Sequence, residues 1–231
     1  MSDVRADPPK AKPSKEQKAA AAAERRRRKA EELQERRSVK LQAAETLARE
    51  AQGALLAVRE RIRRRESLAD HLQTFYGEVD KLAKGNRQTE ATDLTVEQAN
   101  EIIRDAKAVV AGDVYLDRVK EFVPAGENPV YPDVLMVAAT VQAAVRRAEP
   151  VLTAEETRLH EIWHNARTIA AAARLILESG EQPLKAEVED ALGEKPAAQW
   201  FYKADDDRMY FHIGRFDDRD AETLLGTAAE Q

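Results

Sequence analysis

His160-Glu161-Ile162-Trp163-His164 sets two imidazoles four residues apart with a carboxylate between them. On a helix, residues four apart share a face, so both rings can reach one zinc ion while the glutamate activates a metal-bound water. The chemistry would be hydrolysis, with His160 and His164 as metal ligands and Glu161 as general base. Catalytic zinc takes a third protein ligand. Asn165, Ala166 and Arg167 do not begin the longer form of the pattern, which places another histidine six residues after the second. Glu187 and Glu189 follow at a suitable sequence distance, but the helix is expected to run on for about 22 Å past His164. A helix turning back at Gly180 then brings Glu187 level only with Leu175. His212 is the remaining candidate for a third ligand. The apolar stripe of Leu159, Ile162, Ala166, Ile169 and Ala173 turns both histidines to the opposite face, beside Arg167 and Arg174, where like charge disfavours zinc.

These five residues resemble the signature of the zincin metalloproteases. The resemblance ends with them, since no other stretch suggests that family and no strand pattern precedes them to hold a peptide. It implies a zinc cofactor and a metallopeptidase-like activity. The expectation is that zinc is not used catalytically and that no cofactor is needed, with the zinc hydrolase kept as the alternative.

The second constellation is basic. Arg25, Arg26, Arg27, Arg28 and Lys29, followed by Arg36, Arg37 and Lys40, form the strongest cation cluster in the chain. Such runs contact phosphates and give salt-dependent binding. No aromatic lies among them, which argues against base stacking. The competing reading is a solvated helix in which Glu24, Glu31, Glu32 and Glu35 neutralise the arginines. Arg61, Arg63, Arg64 and Arg65 form a smaller cluster, expected to pair with Glu60, Glu66 and Asp70. A third feature, the acidic turn at residues 205–207, has oxygen donors for a hard cation, although a polar hairpin turn explains it without metal.

The elements that must carry these groups follow from composition and period. The chain has 231 residues, 34% of them charged, with nine glycines, nine prolines and no cysteine. That composition favours helices over a loop-rich β fold. It excludes disulfides and thiolate chemistry, and it fits a cytoplasmic protein. No apolar run approaches a bilayer span, and the polar start lacks the core of a signal peptide. Net charge is −5, but residues 1–84 carry 21 Lys and Arg against 14 Asp and Glu, whereas the remainder has 16 against 28. A basic arm for an anionic partner, or for the protein's own acidic half, is the implied use.

Residues 1–13, with three prolines, read as a disordered tail. Residues 14–84 contain no proline and predict one helical arm roughly 100 Å long. Leu41, Ala44, Ala48, Ala51, Leu55, Val58, Ile62, Arg65, Ala69, Leu72, Tyr76, Val79 and Ala83 keep a 3–4 spacing that suggests a coiled coil or a helical hairpin. Five alanines and one arginine make that seam weak alone, so it requires a second helix from this chain or a partner. Gly77 is the expected break.

A polar linker spans residues 85–95, and a helical domain spans 96–225. Thr95 with Gln98, and Thr153 with Glu156, read as capping boxes. A short helix follows Gly112-Asp113, and an apolar helix covers 133–147. The helix opened by Thr153 is stopped by Gly180 and Pro183, and another covers 184–192. A β-hairpin is expected at about 200–216, where six of the twelve aromatics lie, with a last helix at 219–225.

The fold class is therefore mainly α: a long N-terminal helix, then a compact helical domain with a small C-terminal β-hairpin. The function implied is a non-enzymatic interaction protein, an adaptor or scaffold. It would bind a protein partner or a second copy through its helical arm and an anionic partner through the basic cluster. A nucleic-acid-associated accessory protein, using residues 25–40, is a further alternative.

Overall fold

The structure, a computed structural model, describes residues 14–85, 88–123, 129–196, 202–203 and 208–209. Within them lie α1 (Lys15–Gly85), α2 (Asp93–Val109), α3 (Val114–Arg118), α4 (Tyr131–Ser179), α5 (Lys185–Leu192), β1 (Tyr202–Lys203) and β2 (Arg208–Met209). The fold is mainly α, with the long N-terminal helix and a compact helical region after it. Two units divide the chain, Met1–Leu47 with His164–Gln231, and Ala48–Trp163.

Ser14 starts α1 with a reciprocal cap. Its hydroxyl accepts from the Gln17 amide at 3.2 Å, and the Gln17 side chain accepts from the Ser14 amide at 3.0 Å. The helix then runs 71 residues through both Gly53 and Gly77, so the break expected at Gly77 does not occur. A mid-helix glycine costs about 1 kcal/mol. Burying the neighbouring Leu72, Phe75 and Val79 returns about 1.5–3 kcal/mol per large side chain.

In the unit Ala48–Trp163, the second helix that the seam requires comes from the same chain. Arg59 pairs with Glu156, Arg61 with Glu155 and Arg65 with Glu149. Numbers rise on α1 as they fall on α4, so the two helices run antiparallel here. Leu55 and Val58 pack on Leu159 just beyond the Arg59–Glu156 pair. Further along, Leu72 and Val79 of α1, Ile102 and Ile103 of α2, Leu116 of α3, and Val134 and Val141 of α4 share one core. Leu47, Leu68 and Phe75 are buried beside the expected seam positions, so the apolar face is wider than a strict heptad seam.

Two expected helix starts are displaced. The cap of α2 is Thr92, whose hydroxyl accepts from the Thr95 amide at 3.3 Å. Thr95 is instead the buried third residue of the helix. The break before Thr153 is absent, because α4 continues through Pro150 for 49 residues. Thr153 donates its hydroxyl to the Glu149 carbonyl at 2.9 Å, and Glu156 is drawn to Arg59, so no capping box forms. Pro150 sits on an exposed face, where water can solvate the carbonyl that proline leaves without a donor.

In the other unit, Ala44 packs on Ile169, Ala173 and Ile176, and Val188 of α5 and Met209 of β2 complete the cluster. Glu45 accepts from Arg174. The helix α4 ends at Gly180, whose φ of +76° suits glycine, and its amide donates to the Ile176 carbonyl at 2.9 Å. The strands β1 and β2 pair antiparallel, with Tyr202 opposite Met209. The rest of the expected hairpin, the 205–207 turn, His212 and the expected 219–225 helix lie outside the described residues. None of the described helices is long and apolar enough to cross a membrane.

Candidate functional site

The two histidines of the hydrolase pattern have different surroundings. His160 is exposed and stands against Trp163, ring centroids 5.6 Å apart and tilted by 59°. Glu161 is exposed as well. His164 is largely covered, its side chain 20% accessible, with Nδ1 3.3 Å from Glu194 Oε1. That carboxylate also accepts from the Arg167 guanidinium, which donates in addition to the Leu192 carbonyl at 3.4 Å. Of the two settings open to the face opposite the apolar stripe, solvent or a cleft lined with arginine, His164 takes the second: the chain returning through α5 covers it beside Arg167.

Glu194 was missed for a geometrical reason. Glu181 to Leu184 is not helical, and Leu184 is extended and makes a β-bridge to Arg208. Extended residues advance about 3.3 Å each against 1.5 Å in a helix, so the return reaches further than a helical count allows. Gly193, at φ +70°, then reverses the chain so that Glu194 meets His164. Glu187 and Glu189 do not join this group. Glu187 accepts from the Leu184 amide at 2.7 Å, and Glu189 lies 4.0 Å from Lys185. Among the described residues no group of three or more His, Asp or Glu side chains is placed to hold a metal ion. An imidazole and a guanidinium sharing one carboxylate tie the end of α5 to α4.

The basic residues form a different kind of surface. Residues 14–36 are exposed around the whole circumference of α1, and Arg37 is half-buried. At 3.6 residues per turn, Lys15, Lys18, Arg25, Arg26, Lys29, Arg36, Arg37 and Lys40 fall in one sector about 120° wide. Glu16, Glu24, Glu31, Glu32 and Glu35 all lie outside it. Two arginines stand among these acids, and they are the two that pair: Arg27 with Glu31 at 3.1 Å and Arg28 with Glu24 at 2.6 Å. Arg25, Arg26, Lys29 and Arg36 pair with none of the described residues. Glu31 and Glu24 thus neutralise Arg27 and Arg28 along the helix.

The smaller cluster also divides. Arg63 and Arg64 pair with Glu60 along their own helix, whereas Arg61 and Arg65 reach across to α4. Lys15 and Lys18 were missed as members of the row because they look isolated in the sequence; their angular position is the signal that finds them. Ala44 and Leu47, the first fully buried residues of α1, lie in the same sector as the cations. One side of this helix is therefore a cation row up to residue 40 and core at Ala44 and Leu47. The chain matches no protein-family model, no curated protein and no solved structure.

Proposed function

We infer that this chain is a non-enzymatic helical interaction protein, an adaptor or scaffold whose exposed first helical stretch docks an anionic partner. The observation that carries this reading is the sorting of charge on residues 15–40. The arginines lying among acids are paired, while Arg25, Arg26 and Arg36 in the row face solvent. An isolated helix is held by its own hydrogen bonds and side-chain pairs only weakly. The cations of the row from Lys15 to Arg36, exposed on it, are available to an external anion. The paired α1 and α4 provide the support behind the arm. The absence of cysteine supports a cytoplasmic setting.

The test is retention on immobilised heparin. A chain of net charge −5 should nevertheless be retained at low salt. The same chain lacking residues 1–37 should pass through with its thermal unfolding unchanged. Equal retention of both would remove the arm from the function. The zinc hydrolase reading has weaker support, because the carboxylate nearest His164 is already held by Arg167.

A further inference from the structure

The cations of the row repeat every eleven residues. Ser14-Lys15-x-x-Lys18, Arg25-Arg26-x-x-Lys29 and Arg36-Arg37-x-x-Lys40 stand in register, and Ala19 with Ala30 and Glu24 with Glu35 fall in register between them. Eleven residues make almost three whole turns, drifting only about 20° in a 3.6-residue helix. The unbroken α1 therefore converts the sequence repeat into three cation clusters on one straight line. The clusters are spaced about 16.5 Å apart, and the line is about 38 Å long.

Resting on the reading of the arm as an anion-docking element, we propose that this row binds the phosphodiester backbone of a nucleic-acid duplex, without reading its sequence. A straight rod laid along a duplex meets two phosphate ridges, one from each strand, in every turn of about 34–36 Å. The ridges come on average about 17–18 Å apart, close to the cluster spacing, and the row covers about one turn. The central cluster offers Arg25 and Arg26, whose planar forks suit phosphate oxygens, and Lys29 as a point charge, with Lys15 and Lys18 on one side and Arg36 on the other. No aromatic occurs in residues 15–40, so nothing there stacks on bases. A membrane surface fits less well. A helix lying in the interface presents a broad apolar face, and the one large apolar residue in 15–36 is Leu33. The carboxylates on a folded protein surface have no such regular period.

The experiment uses the full chain and a fluorescent duplex DNA of about two turns, titrated from about 50 to about 200 mM salt. With six cations engaged, log K should fall against log salt with a slope of about −5. A composition-neutral variant, Glu24→Arg, Arg25→Glu, Glu35→Arg and Arg36→Glu, takes two cations out of the row at unchanged net charge. It should weaken binding at least tenfold and shallow the slope by about 2, with circular dichroism unchanged. The matching single strand should bind more weakly than the duplex. Undiminished binding by the variant, tighter binding of the single strand, or no duplex binding at low salt would each overturn the proposal. If the arm then binds polyglutamate or anionic vesicles instead, the anion-docking reading survives and the duplex does not.

Discussion

Arg147 grips the Asp113 carboxylate from across the core, Nη2 to Oδ2 at 2.8 Å and Nε to Oδ2 at 3.1 Å. The same carboxylate caps α3, accepting from the Leu116 and Tyr115 amides at 2.9 and 3.0 Å. The guanidinium also lies over the Tyr115 ring, 5.2 Å from its centroid. The Leu116 amide, then Arg147, hold the carboxyl below its ordinary value of 3.8 against the opposing effect of burial. This stabilisation is complete above that value and is lost as pH falls through it toward the lower folded value.

Asp113→Ala should therefore destabilise the protein by about 1–2 kcal/mol, most of it from the lost cap. Asp113→Asn keeps a capping oxygen and should cost less than about 1 kcal/mol, because Arg147 is half-exposed. Urea unfolding at neutral pH and near pH 3.5 checks both. The deficit of Asp113→Asn relative to the native chain should shrink at the lower pH, and a deficit that grows would refute the assignment.

Gly53→Ala and Gly77→Ala should each raise stability by about 0.5–1 kcal/mol. A methyl group at either position meets no atom within 4 Å, and both lie inside a continuous helix. An unchanged or lower unfolding midpoint for both would mean that the helix breaks there.

Pro150→Ala should stabilise by about 1–3 kcal/mol, since it restores the amide that the interior of α4 lacks. The position is exposed, so the change disturbs no packing. A loss of stability would show that Pro150 sets a bend on which the packing of α1 and α4 depends.

Untagged protein should contain well under one zinc per chain after dialysis, measured by elemental analysis. A third donor is needed beside His160 and His164, and Glu194 is committed to Arg167. Stoichiometric zinc, with an activity lost in Glu161→Gln while zinc is retained, would reverse the assignment in favour of a hydrolase.

The helices were legible where side chains repeat at the helical period. Leu55, Val58, Leu72 and Val79 announced the buried face of α1, and Val134 and Val141 that of α4. The source of the seam's partner was not legible, because Ala44 or Val58 packs equally well on a helix from the same chain or from another. Local signals mislead at Gly77 and at Thr153, just after Pro150. Gly77 and Pro150 each cost a few kcal/mol at most, which the burial of their neighbours outweighs. Glu194 was invisible because its approach to His164 depends on extended residues and a left-handed Gly193, neither of which has a period. The cation row was hidden by its own spacing, since arginines adjacent in sequence point about 100° apart and only a helical projection separates paired from unpaired.

Because the row and the buried Ala44 and Leu47 lie on one face of α1, residues 40–44 work as a reading frame. Inserting a single alanine there would swing every upstream cation about 100° around the axis while leaving the net charge as it was. Length changes of eleven or eighteen residues, near whole numbers of turns, would lengthen or shorten the arm and keep its aim. Natural variation in this arm should therefore come in those quanta, a constraint that acts through rotation alone.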